Sequence, residues 1–342
     1  MSTILTFLKY QKNNHKLFSL LSDIEESLYD IKNVKIENPT FICGMPRSGT
    51  TFITHLLDAS GYFSSFKYKY LPFYTIPIFW SYFNRLFYFA KKKSKRIHGD
   101  NINVGLDSTD SFEEIIWKNN LDNYNEKGFW SYISDENDKN LIIKLESYIK
   151  KVVKLGNKRN YISKNNNNAF RIKYLLKKFP SSKILFVIRN PIDLAFSSAK
   201  VHLKFLKLHN VNVKFSEELK ELGHLEFGYY RKLFSNNQIE KNIKYKIIKF
   251  YLKGYQEFLE YIMKNYSEEL KSKKIITFNY DNLKSYNEIK TLLSNLNIES
   301  NENMVRFFKL NFKFNKKKVN LKKIKKKFEL NIYDDFKRLS II

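Results

Sequence analysis

The stretch "FICGMPRSGTTFITHLL", Phe41 to Leu57, decides the reading of this chain. It runs as an apolar strand, then Gly44, four residues and Gly49, then a segment of helical spacing. A loop in that setting binds anions, because its backbone N–H groups point inward and the helix dipole adds positive potential. Gly44 and Gly49 allow the tight path, and Ser48, Thr50 and Thr51 add hydroxyl donors. In loops that hydrolyse ATP or GTP, a lysine after the second glycine reaches the terminal phosphates. Here Thr50 stands in its place, and the cation, Arg47, lies upstream beside Pro46.

Working outward, apolar runs with strand character occur at Thr40–Gly44, Tyr161–Ser163, Lys183–Arg189 and Ile275–Tyr280. Segments of helical spacing lie between or after them, at Thr50–Ala59, Ala169–Phe179, Leu194–Phe205, Ile243–Lys264 and Tyr286–Leu296. Strand alternating with helix predicts an α/β fold with a central, mostly parallel sheet flanked by helices, and the phosphate-loop-like turn after its first strand makes the expected kind a P-loop-containing nucleotide-hydrolase-like fold. Ligands in such sheets bind at the carboxyl ends of strands, so Gly44 and Arg189 are expected to share one site.

Composition narrows the classes. With 43% apolar residues and 30 Phe the chain can bury a substantial core. Its net charge of +27 invites a nucleic-acid reading, but no nucleic-acid-reading motif accompanies it, and the abundance of Lys, Asn, Ile, Tyr and Phe also follows from A/T-rich codons. No nucleic acid is therefore expected. The single cysteine, Cys43, forms no intrachain disulfide and supports no cysteine-rich metal site. The N-terminus has no apolar core of signal-peptide length, and the aromatic run Leu71–Ala90 is interrupted by Pro72, Pro77, Asn84 and Arg85. A cytoplasmic protein is expected. The lysine-rich run Lys313–Lys327 reads as a solvated helix that could also meet an anionic membrane or an acidic glycan.

"GMPRSGTT" resembles the 5′-phosphosulfate loop of sulfotransferases, which use 3′-phosphoadenosine 5′-phosphosulfate (PAPS). "KILFVIRNPIDLAFSS" is similar to that family's second hallmark, a strand ending in Arg and then a helix with a Ser eight residues later, here Arg189 and Ser197. "YISKNNNNAFRIKYLLKKFPSSKILFVIRNP" resembles the bacterial and protein-tyrosine branch, in which a strand-end Lys assists transfer; Lys164 falls on it. The resemblance implies PAPS as co-substrate, no metal, and sulfuryl transfer to an acceptor hydroxyl or amine on a small molecule, glycan or lipid-like compound. Pro46, Arg47, Ser48, Gly49, Thr50 and Thr51 would hold the 5′-phosphosulfate, Arg189 and Ser197 the 3′-phosphate, and Phe52 would stack on adenine. A bidentate arginine suits a ribose 3′-phosphate. "ITFNYDNL", Ile276 to Leu283, resembles a late family strand of structural rather than catalytic character.

Transfer to a hydroxyl needs a general base. The protein-tyrosine branch carries a Glu soon after the first loop, but "YFSSFKYKYLPFY" has no carboxylate and no histidine. His98 and Asp100 in "RIHGDNINVG" are the candidate bases, with Arg47 and Lys164 as the other catalytic groups. "DSFEEIIWK" places Glu113 and Glu114 in a first helical turn, where they complement the dipole and stand as the alternative candidate bases. His224 and Glu226, between Gly223 and Gly228, read as a constrained turn near the acceptor, and His55 as a helix-face residue.

The expected organisation is a single domain over 1–342. Its core spans about 38–300, an insert at 62–160 contributes to the acceptor site, and 301–342 is a basic C-terminal extension. Two competing readings are a Mg²⁺-dependent P-loop phosphoryl-transfer enzyme and a non-enzymatic basic protein that binds nucleic acid or membrane. The first lacks its lysine; the second predicts steeply salt-dependent binding.

Overall fold

Residues 2–87, 94–95, 98–99, 102–120, 139–232, 244–312 and 331–342 are described by a computed structural model. Five parallel strands form the central sheet: β1 (Glu37–Cys43), β2 (Phe63–Ser65), β5 (Asn160–Lys164), β6 (Lys183–Ile188) and β7 (Ile275–Asn279). Their spatial order is β2-β5-β1-β6-β7. Two-residue strands β3 (Ser94–Lys95) and β4 (Asn103–Val104) pair separately and antiparallel. In the central strands burial runs on without alternation: Ile184 to Ile188 and Ile275 to Phe278, all apolar but Thr277, are buried. Such runs suit a sheet covered on both faces.

The covering helices are α1 (Ser2–Asn13), α2 (His15–Leu28), α3 (Thr50–Asp58), α4 (Pro77–Phe87), α5 (Glu114–Asn120), α6 (Lys139–Gly156) and α7 (Ile172–Lys178). They continue with α8 (Pro191–Val211), α9 (Val213–Glu221), α10 (Lys244–Lys271), α11 (Tyr286–Leu296), α12 (Glu302–Asn311) and α13 (Asn331–Leu339). One core cluster lies between the sheet and the side bearing α6, α10 and α13, with Phe41, Tyr148, Phe186, Phe258 and Phe336 in contact. A second joins Ile42, Phe52, Leu185, Leu293 and Phe308 on the side of α3, α11 and α12.

Three local rules place the site. Register pairs Ile42 of β1 with Lys164 of β5, so Gly44 and Lys164 leave the sheet side by side. Asn190-Pro191 stops β6 and starts α8: proline takes the first helical position, and the Asn190 side chain accepts from the Ile192 and Asp193 N–H groups. The Asn190 N–H in turn donates to Asp281, which follows β7 and also accepts from Tyr333 OH at 2.9 Å. "ITFNYDNL" is thus used structurally.

One expected helix is corrected, and the other segments take the following forms. Ala169–Phe179 is not one helix; a 3₁₀ turn at Asn166–Phe170 precedes α7. The described parts of the C-terminal extension are packed: Met304, Phe308, Tyr333 and Phe336 are buried, and Ile341 N–H donates to the Thr277 carbonyl beside β7. Lys313–Lys327 lies outside the described residues. The aromatic run after Tyr62 forms a 3₁₀ turn, Tyr68–Phe73, and α4, and Phe73 packs against Phe18 and Trp80. Among the described residues no helix is long and apolar enough to cross a membrane.

Candidate active site

The loop after β1 adopts the path its glycines predict, with Gly44 at φ 152° and Gly49 at φ 106°. A Cβ on Gly49 would fall inside the Tyr280 ring, and one on Gly44 against the Val187 carbonyl, so side chains are excluded at both positions. Between them Arg47 has φ 77°, a left-handed conformation that non-glycine residues adopt only when their surroundings hold them there. Two contacts do so. Arg189 Nη1 donates to the Arg47 carbonyl at 3.0 Å, and Arg47 Nε donates to Ser197 Oγ at 3.1 Å.

Arg189 is itself positioned from three sides. Its N–H donates to Tyr255 OH at 3.1 Å, and its guanidinium lies 5.8 Å from the centre of the Tyr280 ring. The structure therefore brings together Arg47, Ser48, Gly49, Arg189 and Ser197, with Thr50 and Thr51 opening α3. Ser48 Oγ and Arg189 Nε are buried and have no hydrogen-bond partner among the described residues. Buried donors cost free energy unless a ligand or water takes them, so a hydroxyl from the loop after β1 and a guanidinium N–H from the end of β6 suit an anionic group between them.

Lys164 Nζ lies 3.3 Å from Asp110 Oδ1, with both side chains almost completely buried. Asp110 belongs to "STDSFEE", which folds across the end of β5. In the same segment Glu114 forms a two-pronged pair with Arg171, 2.9 Å on each prong, and accepts from Asn165. Glu113 accepts from Tyr161 OH at 2.8 Å and Trp117 Nε1 at 3.1 Å. Desolvation pushes the Glu113 carboxyl above its ordinary range, against the hydrogen bonds it accepts. Glu114 and Glu113 thus serve as buried anchors, a stronger duty than complementing a dipole. Asp110, which heads the quoted "DSFEEIIWK", was missed; its only sequence signal was membership of an acid-rich helix start inside the insert.

Other expected residues lie elsewhere. Phe52 is buried, ringed by Tyr280, Phe307, Phe308 and Phe312 with centroids 5.8 to 6.1 Å away, which makes it a core residue. His98 packs edge-on against Phe205 of α8 at 5.2 Å. Asp100 lies outside the described residues. His55 Nε2 meets the Thr109 carbonyl at 2.9 Å, fixing the residue before Asp110. Pro46 is buried at the loop's crest. Glu226 accepts from Asn166 at 3.2 Å, which brings the "GHLEF" turn beside the residues that follow Lys164.

The loop after β1, the arginine that ends β6 and a serine of α8 are thus joined at the carboxyl ends of the parallel strands. The family model described as "Sulfotransferase family" matches residues 39–243 of the 342, and the chain belongs to that family. The crystal structure of sulfotransferase STF9 from Mycobacterium avium is similar in fold, with TM-score 0.56 at 10% identity over 96% of this chain and 80% of that one. STF1 from Mycobacterium tuberculosis H37Rv gives TM-score 0.47 at 12% identity, covering 90% of this chain and 81% of that one. The sulfotransferase domain from the curacin biosynthetic pathway gives 0.38 at 14%, covering 80% and 78%. No curated protein sequence matches the chain. The chain is a sulfotransferase, an enzyme that moves a sulfuryl group to an acceptor.

Proposed function

We propose that the donor is PAPS and that the acceptor presents a hydroxyl or amine. The observation that carries this reading is the joined pair of anion sites: the Gly44–Thr51 loop and Arg189 with Ser197, locked together through Arg47. One suits the 5′-phosphosulfate and the other the 3′-phosphate, the feature that separates PAPS from ordinary nucleotides. The donor supplies an activated S–O bond whose cleavage leaves charge on the bridging oxygen. Lys164 neutralises that charge, and the loop amides with Arg47 and Ser48 hold the equatorial oxygens without reorganising. Asp110 replaces His98 and Asp100 as the base. Beside Lys164, it takes the acceptor's proton as the new S–O bond forms and the old one breaks to release 3′-phosphoadenosine 5′-phosphate.

The single-domain organisation belongs to this proposal, with the 62–160 insert supplying Asp110 to the acceptor side. So does a cytoplasmic location, where donor and product nucleotides circulate. The test is calorimetric titration with 3′-phosphoadenosine 5′-phosphate beside ATP and AMP, each with and without Mg²⁺. Tight, metal-independent binding of the 3′-phosphorylated ligand alone is expected. Preferential binding of Mg²⁺-ATP would overturn the assignment in favour of phosphoryl transfer.

A further inference from the structure

Helix α2 (His15–Leu28) has two unlike faces. On one, Phe18 and Glu25 are buried, and Glu25 pairs with Lys151 of α6 at 3.3 Å. On the other, Leu17, Leu20, Ile24 and Leu28 are 42–68% exposed. Spacings of three, four and four residues put these side chains in one stripe along the helix. At its far end Tyr29 stacks on Tyr82 of α4 at 6.4 Å, and Tyr82 and Phe83 are themselves exposed. Single exposed apolar residues are ordinary, whereas a run of this length along one helix marks a surface that another molecule covers.

The charges beside the stripe say which molecule. Lys16 and Asp23 lie seven residues, or two turns, apart and so share one edge of it. Neither has an ion-pair partner among the described residues. The remaining ionisable groups of α2 turn away, Glu25 and Glu26 to Lys151 and His15 to the cleft between α2 and α6. The edge thus carries one cation and one anion, in a chain of net charge +27. A face for an anionic membrane is rich in Lys and Arg instead. Two antiparallel helices bring like edges together in reversed order. A second α2 laid antiparallel about an axis near Leu20 therefore sets Lys16 of each copy beside the partner's Asp23, with Leu17, Leu20 and Ile24 closed between the helices.

We propose that α2 is the contact of a two-fold symmetric homodimer of this chain, formed by the Leu17–Leu28 stripe and two reciprocal Lys16–Asp23 ion pairs. The helix lies before residue 39, where the family match begins, so the dimer is a property of this chain and not of the matched region. Its 14 residues make it about 21 Å long. A pair of such helices covers less than a standard interface, so the dimer dissociates in the micromolar range. The stripe stands apart from the strand ends, and the proposal is independent of the donor and base assignments.

The test is sedimentation velocity on the full chain from about 2 to 200 µM, a range that spans a weak interface. A monomer–dimer equilibrium is expected. Leu20→Glu should raise the dissociation constant at least about tenfold, because it places a carboxylate on the axis. Its melting temperature at the low concentration should match the parent's, since Leu20 is exposed in the monomer. Lys16→Glu and Asp23→Lys should each weaken association at least about threefold, and the two in one chain should restore it. A monomer throughout the range, including one that sediments with anionic vesicles, would overturn the proposal. So would a dimer indifferent to Leu20→Glu, or a double charge variant no tighter than the single ones.

Discussion

The Arg189 guanidinium donates to the Arg47 carbonyl at 3.0 Å, across 142 positions of sequence. The contact makes the end of β6 a support for the loop after β1, where the proposed donor site lies. Arg189→Ala should therefore weaken 3′-phosphoadenosine 5′-phosphate binding at least about 30-fold, as expected when a buried charge loses its partner. Arg189→Lys should recover little, because an ammonium cannot supply both prongs. Calorimetric titration of the two variants checks this, and unchanged affinity in Arg189→Ala would remove the residue from the donor site.

Asp110 and Lys164 should separate kinetically from the loop. Once screening identifies an acceptor, Asp110→Asn should lower kcat by about 10²–10⁴-fold and flatten the acidic limb of the pH–rate profile. Product-nucleotide affinity should stay near that of the parent. His98→Ala should leave kcat within about threefold, as a residue outside proton transfer would. The opposite ranking of these two variants would move the base to His98.

Gly49 combines a φ of 106° with the Tyr280 ring where a side chain would go. Gly49→Ala should destabilise the fold by more than the roughly 1 kcal/mol ordinarily attached to a glycine replacement, by urea titration. Measured in a Tyr280→Ala background, the Gly49→Ala penalty should be smaller than in the parent, because the clash is gone and the backbone strain remains. An equal penalty in both backgrounds would show that the ring is not what meets the new methyl.

His202 provides a pH-dependent readout. Gly228 N–H donates to its Nδ1 at 3.1 Å and the Arg231 guanidinium lies 2.6 Å from Nε2. Burial, with the Arg231 charge, pushes its pKa down from 6.5 to about 3. Between those values the unfolded chain takes up a proton that the fold refuses, so stability is complete above pH 6.5 and is lost on acidification. At pH 5 the loss relative to pH 7 should reach about 2 kcal/mol at most. Denaturation at both pH values, with His202→Gln as reference, tests the sign: the variant should show the shallower decline.

Much of this was legible because it depends on short-range chemistry. The glycine pair, the shifted arginine, the mostly apolar strands and the Asn-Pro stop each act within a few residues, and they located β1, β6 and the loop between β1 and α3. What was hidden depends on distant partners. Asp110 acquires its meaning only when the insert folds over the end of β5. Phe52 looked available for stacking until Phe307, Phe308 and Phe312 enclosed it from α12 and its end. The run Asn165–Asn168 reads as low complexity, yet all four residues are buried directly after Lys164, Asn165 capping the 3₁₀ turn that the other three open. Composition could not distinguish a polar linker from a polar wall.

Cys43 closes β1 one residue before the anion loop, is completely buried, and has its thiol pushed well above the ordinary range by burial. As the chain's one cysteine it is a built-in chemical clock. A thiol reagent in solution can label it only when the central strand opens, so the labelling rate reports how often the middle of the sheet parts. A ligand seated on the neighbouring loop would slow that clock, and the slowing would give its affinity without requiring turnover.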